Sequence, residues 1–592
     1  MPPERMGEYL RKLRALLDRY GYDGPFYGHF GQGCLHTRID FDLYTQPGIV
    51  KWRKFLDEAA DLCTSMGGSL SGEHGDGQSK AAMLPKMFGE EVVQAFREYK
   101  SIWDPDWKMN PGKVVDPFPI TTNLRLGPSY APPEVKTWFH YHAEGNFPRA
   151  TLHCVGVGKC RREGGGVMCP SYQVTREEMH STRGRAHLLF EMLRGDVLRD
   201  GWHDQHVREA LDLCLACKGC KHDCPLNVDM ATYKAEFLAH HYRRRLRPRH
   251  AYAMGLISWW ARVASVAPWL VNWVAHAPGL SALVKFAGGI AQERTAPRFA
   301  PRTFRAGFVE RPLSRADQPR VLLWPDTFND NFHPQVAHAA VEVLEAAGFH
   351  VQIPAVRLCC GRPLYDFGML DTAKRLLTEV LESLRPQIRA GLSVVGLEPS
   401  CVAVFRDELC ALFPEDEDAK RLRDQTFILS EFLVKHGGAL DLVPLRRKAI
   451  VQGHCHHRSV LDFEAEETVL QRLALEVEEP EPGCCGMAGS FGFEAAHVGV
   501  SKAIGEKALL PAVREADEDT LVIADGFSCR EQIAQGTGRT PRHLAEVLRS
   551  ALAHPPPPAP VPARRMRPAV LAAAAGLFAV AGATVLWRRS TR

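Results

Sequence analysis

Four cysteines near the middle of the chain have the spacing of iron–sulfur ligands. They are Cys214, Cys217, Cys220 and Cys224, and Pro225 follows the last of them. In this C-x2-C-x2-C-x3-C-P pattern, three closely spaced thiolates and a fourth one bind [4Fe–4S] clusters. A structural zinc site is the alternative, although such sites usually combine two separate C-x2-C pairs. The run therefore predicts an iron–sulfur site.

Three further cysteines lie upstream and extend this site. In proteins with two such clusters, the fourth cysteine of a run ligates the other cluster. On this rule the first set of ligands is Cys169, Cys214, Cys217 and Cys220. The second set is Cys154, Cys160 and Cys224. With three cysteines, the second set is expected to hold a [3Fe–4S] centre, to recruit a non-cysteine ligand, or not to form.

Residues 318–552 contain an internal repeat that also carries cysteines. Cys484 follows Cys359 by 125 residues and Cys529 follows Cys401 by 128 residues, so the period is nearly constant. The cysteines of the first copy are Cys359, Cys360 and Cys401, and those of the second copy are Cys455, Cys484, Cys485 and Cys529. Adjacent cysteines do not readily pair with each other in a disulfide, but both can ligate a cluster.

The first copy has no cysteine at the position that matches Cys455, which falls in the stretch 326–329. A cluster or metal ion is therefore expected mainly in the second copy. The alternative is a pseudo-symmetric pair of folds whose thiols are vestigial.

Two glycine-rich loops near the N-terminus hold histidines and a glutamate. The loop at 27–38 contains His29 and His36, and the loop at 69–77 contains Glu73 and His74. Imidazole and carboxylate groups suit a divalent ion such as zinc or manganese and leave positions open for a substrate. Histidines in loops more often face solvent, so the residues alone leave both interpretations open.

These loops read GHFGQGCLH and SGEHGDG, and an Asn-Pro-Gly-Lys segment follows at 110–113. Together they resemble the C-terminal domain of FAD-linked oxidases, a family that includes D-lactate, glycolate and D-2-hydroxyglutarate dehydrogenases. The resemblance implies metal ligands and a base that takes the hydroxyl proton while hydride leaves for the flavin. The implied ligands are His29, His36 and Glu73, and the implied base is His74.

The flavin of that family is held mainly by an N-terminal domain, which we expect to be missing from this chain. The protein then resembles the distal part of a longer flavoenzyme or one half of a split one. A separate FAD-binding chain is an expected partner, and weak FAD binding by this chain alone is an expected property. Gln32 and Cys34 stand where the family commonly has Asp and Asn, which leaves the substrate open.

The repeat resembles the cysteine-rich CCG domain of heterodisulfide reductase B and of the iron–sulfur subunits of glycolate oxidase and anaerobic glycerol-3-phosphate dehydrogenase. The order of the modules is similar to that of large bacterial dehydrogenases that fuse FAD and iron–sulfur domains. This order implies oxidation of a D-2-hydroxy acid, with electrons passed to a membrane acceptor such as a quinone. The alternatives are a non-catalytic electron-transfer subunit and a disulfide reductase subunit of the CCG type.

Length and composition agree with a multidomain metalloprotein. The chain has 592 residues, enough for about three to five domains. Its net charge of +4 is small and gives no indication of nucleic-acid binding. The N-terminus has no apolar signal region, so the 17 cysteines indicate metal ligation in a reducing compartment instead of disulfides.

Apolar periodicity predicts the elements that position these residues. Amphipathic helices are expected over 5–20 and 49–66, on either side of the first histidine loop. A helix is expected near 181–195, where Arg183 and Arg185 cap or solvate it or, alternatively, lie beside an anionic cluster. In the repeat, strands at 321–324 and 449–451 alternate with helices such as 334–347, which predicts α/β halves.

The predicted fold class is a multidomain α/β and α+β protein with a C-terminal transmembrane helix. Its parts are a fragment of the oxidase C-terminal domain, a helical two-cluster ferredoxin-like module and a duplicated α/β CCG domain. The predicted segments are 1–130 for the oxidase domain, 131–250 for the ferredoxin-type domain, 251–317 for a helical linker, 318–440 and 441–552 for the repeats, 553–567 for a linker rich in proline and arginine, and 568–587 for the transmembrane helix.

Two stretches bear on membrane binding. The segment 568–587 is uncharged, and as a helix it would be about 30 Å long, which is the thickness of the hydrocarbon layer. A membrane anchor with the body on the cytoplasmic side is expected, and an alanine-rich disordered end is the alternative. The tryptophan-rich segment 251–308 is expected to pack between domains, with a position on the membrane surface as the alternative.

Overall fold

The computed structural model describes residues 1–124, 126–313, 317–438, 440–481 and 483–556. The chain divides into two compact units, Met1–Pro132 and Pro133–Arg592, called here the N-terminal and the C-terminal unit. The transmembrane helix predicted at 568–587 lies outside the described residues. Within those ranges, no helix combines the length and the hydropathy that a bilayer span requires.

The N-terminal unit is built around two long helices and a small hairpin. Its helices are Met6–Tyr20, Gln46–Ser65, Gly77–Ala81, Leu84–Phe88 and Glu90–Trp103. The two predicted long helices are confirmed, and the second begins earlier than expected because the Thr45 hydroxyl caps it by accepting from the Gly48 amide. Strands β1 (Phe26–Tyr27) and β2 (His36–Thr37) pair antiparallel and place the first glycine-rich loop between them.

The Asn-Pro-Gly-Lys segment is held in place by the buried carboxylate of Asp104. Asp104 accepts from the Lys108 amide at 2.9 Å, from the Met109 amide at 3.0 Å and from Lys100 Nζ at 2.6 Å. Lys113 then donates to Gln78 Oε1 at 3.2 Å, in the helix that follows the second loop. The predicted site loops and this segment therefore belong to one local structure.

The cysteine-rich part of the C-terminal unit is helical. Its helices are Phe147–Thr151, Pro170–Thr175, Thr182–Arg194, Gln205–Asp212, Gly219–Asp223 and Met230–His241. The helix expected near 181–195 is confirmed, with Ser181 as its N-cap. Leu189, Phe147 and Phe237 are fully buried between these helices, so short helical segments pack closely around the thiols.

The segment that follows forms the short helices Arg249–Gly255, Ile257–Ala264, Pro268–His276, Leu280–Gly288 and Phe304–Gly307. The expectation that it packs between domains holds for the first two helices, which bury Ala251 and Ala261. It is wrong for the helices at 268–276 and 280–288, which contain no buried residue. Trp269 is 73% exposed and Trp273 is 59% exposed, because nothing in the described residues covers this face.

The predicted α/β halves of the repeat are confirmed as two parallel sheets. The first sheet consists of β3 (Arg320–Trp324), β4 (His350–Gln352), β5 (Val394–Gly396) and β6 (Thr426–Ile428). Its spatial order is β4-β3-β5-β6. The second sheet consists of β7 (Lys448–Val451), β8 (Glu476–Glu478) and β9 (Leu521–Ile523), in the order β8-β7-β9.

Helices connect these parallel strands, as the βαβ arrangement requires. Those of the first copy are Thr327–Asn331, Pro334–Ala346, Arg362–Tyr365, Leu370–Arg389, Pro399–Ala403, Leu409–Leu412, Glu417–Gln425 and Leu429–His436. Those of the second copy are Cys455–Val460, Glu464–Arg472, Val498–Gly505, Leu509–Glu515, Phe527–Thr537 and Leu544–Ser550. The helix predicted at 334–347 is thus confirmed.

The two copies share one hydrophobic core and are joined by buried polar contacts. His543 Nε2 donates to the Leu397 carbonyl at 2.9 Å, and the Phe527 amide donates to Glu398 Oε2 at 2.8 Å. The rings of Phe328 and Phe527 stack at 4.5 Å. The repeat therefore folds as one pseudo-symmetric body, so the position of one copy fixes that of the other.

Gly368 marks a close contact between the first copy and the helix Met230–His241. Its φ is 61°, and a Cβ placed there would lie 2.4 Å from the backbone nitrogen of Ala239. Gly391 is a matched control, because its φ is 76° but nothing lies within 4 Å of its Cβ position. Comparing Ala variants of these two glycines separates the free-energy cost of backbone strain from that of a steric clash.

We predict that Gly391→Ala costs about 1 kcal/mol of unfolding free energy, from left-handed backbone strain. Gly368→Ala should cost about 1–3 kcal/mol more, because the added methyl pushes two elements apart. Anaerobic denaturant unfolding of the two variants measures the difference. Equal losses would show that the contact at Ala239 does not hold the copy and the helix together.

Candidate functional site

The N-terminal unit gathers three side chains that can hold a metal ion. They are Cys34, His36 and Glu73, and their ligand atoms lie within 4.8 Å of one another. His36 Nε2 is 2.9 Å from Glu73 Oε2, and Cys34 Sγ is 3.7 Å from the same oxygen. The hydrogen bond from His36 lowers the pKa of Glu73, so the carboxylate is ionised and ready to bind a cation. A thiolate, an imidazole and a carboxylate fit zinc.

His74 lies beside this group but faces solvent. Its Nε2 is 3.7 Å from Glu73 Oε1, and its side chain is 72% exposed. The rings of His36 and His74 are 5.0 Å apart. His74 is therefore accessible from the solvent side, and its role as a base stays a prediction.

His29 does not join the three-residue group, and its side chain is exposed. Cys34 takes part instead, although the sequence marks it only as a departure from the resemblance. The signal that could have revealed it is the spacing of two residues between Cys34 and His36, which in an extended segment places both side chains on one face.

The first set of iron–sulfur thiols converges in the C-terminal unit. All of its members are buried and none forms a disulfide: Cys169, Cys214, Cys217 and Cys220. The Thr182 amide donates to Cys169 Sγ at 3.1 Å. On either side of Cys217, Ala216 (φ 50°) and Lys218 (φ 57°) adopt the left-handed conformation that non-glycine residues avoid. Such strain is typical of functional sites.

A buried cation beside these thiols shows that their surroundings fit an anionic cluster. Arg185 is 2% exposed and donates to the Ala210 carbonyl at 2.7 Å and to Ser171 Oγ at 3.0 Å. A hydrogen bond with Cys160 and burial raise the pKa of Cys169, and burial raises the pKa of Cys217. The positive charge of Arg185 offsets part of both shifts and so favours the thiolate forms. Among the described residues no carboxylate forms a salt bridge with Arg185, and a buried charge without a counter-charge is costly. Thiolates that hold iron would supply that counter-charge.

The expectation that Arg185 caps or solvates its helix is therefore wrong. A basic residue in a helix is usually exposed, and the sequence does not show which face the thiols occupy. Arg183, by contrast, is half exposed and pairs with Glu178 at 3.4 Å on the surface.

The second set of thiols adjoins the first. Cys154 interacts electrostatically with Cys160 and Cys224. A hydrogen bond from Cys169 lowers the pKa of Cys160, which favours the thiolate form of Cys160 next to the first set. Whether this set holds iron stays a prediction.

The CCG turns of the two repeat copies have the same geometry. Gly361 has a φ of 78° and Gly486 a φ of 83°, a conformation that glycine adopts without strain. In each copy the glycine amide donates to the sulfur of the first cysteine, Cys359 or Cys484, at 3.4 Å. Both copies therefore present adjacent thiols in the same way.

The copies differ at one ligand position. Thr327 is the first residue of its helix, as Cys455 is of the matching helix 128 residues later. Thr327 Oγ1 lies 3.9 Å from Cys359 Sγ, so a hydroxyl occupies the place of the missing thiol. The second copy offers four buried thiols: Cys455, Cys484, Cys485 and Cys529. The first copy offers three thiols, two of which, Cys360 and Cys401, are 2.9 Å apart.

The loop that carries Cys217 lies against the second copy of the repeat. Cys217 shares one buried cluster with Cys455 and Cys484. The carbonyl of Ala216 accepts from His456 Nε2 and from Arg362, each at 3.1 Å. The structure thus makes the first thiol set and the second CCG set neighbours, which no spacing in the sequence indicates.

A buried salt-bridge network fixes this arrangement. Lys218 is 1% exposed and lies 3.2 Å from both Asp229 and Glu408. Glu408 also pairs with Arg362 at 2.6 Å. Because a buried charge that loses its partner is strongly destabilising, the network ties the loop to the repeat in one geometry.

Comparisons with known proteins agree with this division into modules. The family model for FAD linked oxidases, C-terminal domain, matches residues 1–114. The model for the 4Fe-4S dicluster domain matches 150–228, and the model for the cysteine-rich CCG domain matches 326–406 and 455–534. These matches support FAD and iron–sulfur clusters as cofactors.

Relatives span the chain in different ways. Lactate utilization protein A of Bacillus subtilis is 31% identical over 245 residues, which cover 39% of this chain and 99% of that protein. The chain belongs to the family of lactate utilization protein A. It is 28% identical to D-2-hydroxyglutarate dehydrogenase of Pseudomonas putida over 93% of its own length. It spans 58% of the length of that relative.

We predict that Cys34→Ser lowers the affinity of the N-terminal unit for zinc at least about tenfold, because a thiolate ligand is lost. Zinc titration of the full chain, with the iron sites loaded first, measures this. Cys410→Ser, a half-buried cysteine of the C-terminal unit, is the matched control. If His29→Ala removes zinc binding and Cys34→Ser does not, the ligand set implied by the resemblance is the correct one.

His497 carries a pH-dependent ion pair close to the thiols. Its Nε2 lies 2.9 Å from Asp212 Oδ2 and its Nδ1 lies 3.0 Å from Glu494 Oε2. Burial opposes the charged imidazole, but the hydrogen bond to Asp212 and the ion pairs with these two carboxylates outweigh it and raise its pKa to about 9. The stabilisation is complete below the unfolded-state pKa of about 6.5 and is lost as the pH rises through the folded-state value.

We therefore expect His497→Gln to cost roughly 2 kcal/mol of unfolding free energy near pH 6. The difference in unfolding free energy between this variant and the wild type should shrink above neutral pH and vanish near pH 10. Anaerobic denaturant unfolding across this range measures it, with the exposed His206→Gln as control. A loss that does not change with pH would mean that His497 is neutral in the folded protein.

Proposed function

We propose that the protein is the iron–sulfur part of a D-2-hydroxy-acid dehydrogenase of the D-2-hydroxyglutarate, D-lactate or glycolate class. The observation that carries this proposal is the presence in one chain of the Cys34–His36–Glu73 group, with His74 beside it, and of the buried thiol sets. The alignment of 93% of the chain with a D-2-hydroxyglutarate dehydrogenase supports the same conclusion.

In the proposed reaction, the N-terminal unit handles the substrate proton. Oxidation of a hydroxy acid to the oxo acid removes the hydroxyl proton and one hydride. The exposed imidazole of His74 accepts the proton, and Glu73 lies 3.7 Å from that ring. A divalent ion bound by Cys34, His36 and Glu73 would lower the pKa of the substrate hydroxyl and hold its carboxylate.

We place the flavin outside the described residues. A flavin would accept the hydride in this reaction. The GHFGQG loop does not fit its phosphates, because it forms a short 3-10 turn at Phe30–Gln32 between two antiparallel strands. A phosphate loop requires a strand, a loop and a helix in sequence. The flavin is thus proposed to be supplied by a further segment or by a separate chain.

The C-terminal unit is proposed to carry the electrons away. Iron–sulfur clusters held by the thiols would transfer electrons one at a time. The protein contributes the buried charge of Arg185 beside the first set and the contact of Cys217 with Cys455 and Cys484. This contact favours the second CCG copy as the next site, since the first copy has Thr327 in place of a fourth thiol.

A second candidate function is that of an electron-transfer subunit without catalysis. One subunit of the anaerobic glycerol-3-phosphate dehydrogenase of Escherichia coli K12 is 29% identical over 48% of this chain and 72% of that protein. That relative is named as a subunit, which favours a division of labour between chains. On this hypothesis the N-terminal unit has no role in the chemistry.

A panel of D-2-hydroxy acids distinguishes the two functions. The cluster-loaded chain, complemented with a flavin-binding domain from a related dehydrogenase, should reduce a dye with at least one acid of the panel. His74→Gln should lower kcat at least about 100-fold, the usual contribution of a general base, whereas the exposed His206→Gln should not. Dye reduction that is the same in both variants would favour the electron-transfer subunit.

We also propose that the protein works at the cytoplasmic face of a membrane. The helices at 268–276 and 280–288 expose Trp269, Trp273 and Phe286, which are 73%, 59% and 60% exposed. Exposed arginines precede them in the chain: Arg243, Arg244, Arg245 and Arg249. Aromatic rings at the interface with arginines nearby suit anionic lipid head groups.

Vesicle flotation tests this placement. The full chain should float with vesicles that contain anionic lipid, and replacing both Trp269 and Trp273 by Ser should weaken flotation of a variant that lacks 557–592. The control variant replaces Tyr99 and Trp103 by Ser, because these two aromatic residues are also exposed. Trp202 is not a suitable control, because its ring packs against His240. If flotation depends only on residues 557–592, the helices at 268–276 and 280–288 have no role in membrane binding.

A further inference from the structure

Three buried side chains of the second repeat copy form a cluster that takes no part in the function proposed above. They are His457, Glu466 and Asp525, and their exposed fractions are 1%, 2% and 2%. Each contributes one nitrogen or oxygen atom to a group whose members all lie within 4.8 Å of one another. The group is distinct from the thiol sets, because its atoms belong to one imidazole and two carboxylates.

The parallel sheet of the second copy brings these three residues together. Strands β7 and β9 are paired in parallel, so both end at the same edge of the sheet. His457 belongs to the helix Cys455–Val460 that follows β7, and Asp525 lies two residues after the end of β9. Glu466 belongs to the next helix, Glu464–Arg472. In open α/β sheets, this carboxyl edge is where ligands usually bind.

The imidazole of His457 is oriented like that of a metal ligand. Its Nε2 donates to the Asp462 carbonyl at 3.3 Å. Its other ring nitrogen, Nδ1, lies 3.2 Å from Glu466 Oε2, and no hydrogen bond joins these two atoms. A histidine that binds a metal ion almost always donates its second ring N–H to a carboxylate, a backbone carbonyl or water. The geometry of His457 follows this pattern.

Asp525 has one carboxylate oxygen that is buried without a hydrogen-bond donor. Its Oδ1 accepts from the Leu544 amide at 2.8 Å, whereas its Oδ2 has no partner in the part of the chain that the structure describes. His543 Nδ1 lies 3.4 Å from Oδ1 but accepts from the Ala545 amide at 3.0 Å. The proton of that ring is on Nε2, which donates to the Leu397 carbonyl. His543 is therefore neutral and does not compensate the charge of Asp525.

The two carboxylates also have no basic partner. Among the described residues, no lysine or arginine forms a salt bridge with Glu466 or Asp525. Arg458, which is next to His457 in the chain, pairs with Glu479 instead. Buried carboxylates without a counter-charge are costly. A proton on His457 Nδ1 would compensate one of the two carboxylates, whereas a divalent cation compensates both.

We propose that His457, Glu466 and Asp525 bind a divalent metal ion of the zinc class. One imidazole nitrogen and two carboxylate oxygens are ligands that zinc accepts in proteins. Because all three side chains are buried, the ion would join protein segments and would not meet the substrate. The proposal goes beyond the dehydrogenase function and does not depend on it.

The ion would stabilise the positions of two thiols of the second copy. Cys455 is the first residue of the helix that carries His457, and Cys529 lies four residues after Asp525. A metal ion bound to both segments fixes the distance between them independently of any iron. Such an ion would prepare this copy for binding a cluster.

The first copy has no equivalent of this group. The residues that precede His457 and Asp525 by 128 positions are Asn329 and Leu397. This offset also relates the last cysteines of the two copies, Cys401 and Cys529. A leucine provides no ligand atom, so we expect the ion in the second copy and not in the first.

The test is a zinc titration of the full chain, with iron loaded first under anaerobic conditions. In the background variant, Cys34→Ser, His36→Gln and Glu73→Gln remove the ligands of the N-terminal unit, and elemental analysis then gives the zinc bound per chain. We expect one zinc ion in this background, and Glu466→Gln should weaken its binding at least about tenfold because a ligand is lost. Glu464→Gln, at an exposed position of the same helix, is the matched control and should not change zinc binding.

X-ray absorption at the zinc edge identifies the ligands without any substitution at the proposed site. Zinc in the background variant should have only nitrogen and oxygen neighbours, at about 2.0–2.2 Å. Sulfur neighbours at about 2.3 Å would place the zinc at the thiols and overturn the proposal. It would also be overturned if the background variant binds no zinc, or if Glu466→Gln and Glu464→Gln bind zinc equally well. These measurements need neither hydroxy acid nor flavin, so their outcome is independent of the dehydrogenase assay.

Discussion

The need to neutralise buried negative charge governs the organisation of the C-terminal unit. Thiolates that hold iron are anionic, and here they lie in a protein interior where an uncompensated charge is costly. Arg185 supplies a buried positive charge at the first set, and Arg362 donates to the loop between the cysteines. Lys218, within that loop, is neutralised by carboxylates of both the helical module and the repeat. The same charges that make the thiol sites possible thus also fix the modules relative to each other.

Both CCG copies adjoin the helical module, but the thiols of the second copy lie in one buried cluster with Cys217, whereas those of the first copy belong to a different cluster. Cys217 packs against Cys455 and Cys484, and His456, next to Cys455, donates to the same loop carbonyl as Arg362. The first copy keeps the CCG turn but has Thr327 at the fourth position. Its thiols are buried in a hydrophobic cluster that the first copy forms with the helical module. A weakened site can therefore persist in the first copy for structural reasons alone.

The N-terminal unit shows the opposite case, a site that is open to solvent. Cys34, His36 and Glu73 are held by a two-strand hairpin and a loop instead of a buried network. Such a site suits exchange of a small substrate, whereas the buried thiols suit retention of a cofactor. The difference in burial matches the division of roles proposed between the units.

Sequence patterns determined the chemistry and the local elements, because ligand spacing and apolar periodicity are local properties of the chain. The run from Cys214 to Cys224, the doubled CCG motif, the long N-terminal helices and the α/β halves all follow from them. Only the tertiary structure decided which groups meet. Four features depend on packing between segments up to hundreds of residues apart: the burial of Arg185, the grouping of Cys34 with His36 and Glu73, the equivalence of Thr327 with Cys455, and the contact of Cys217 with the second copy. The spacing of residues in the sequence does not encode such contacts, because they form only when several helices and strands bury their faces against one another.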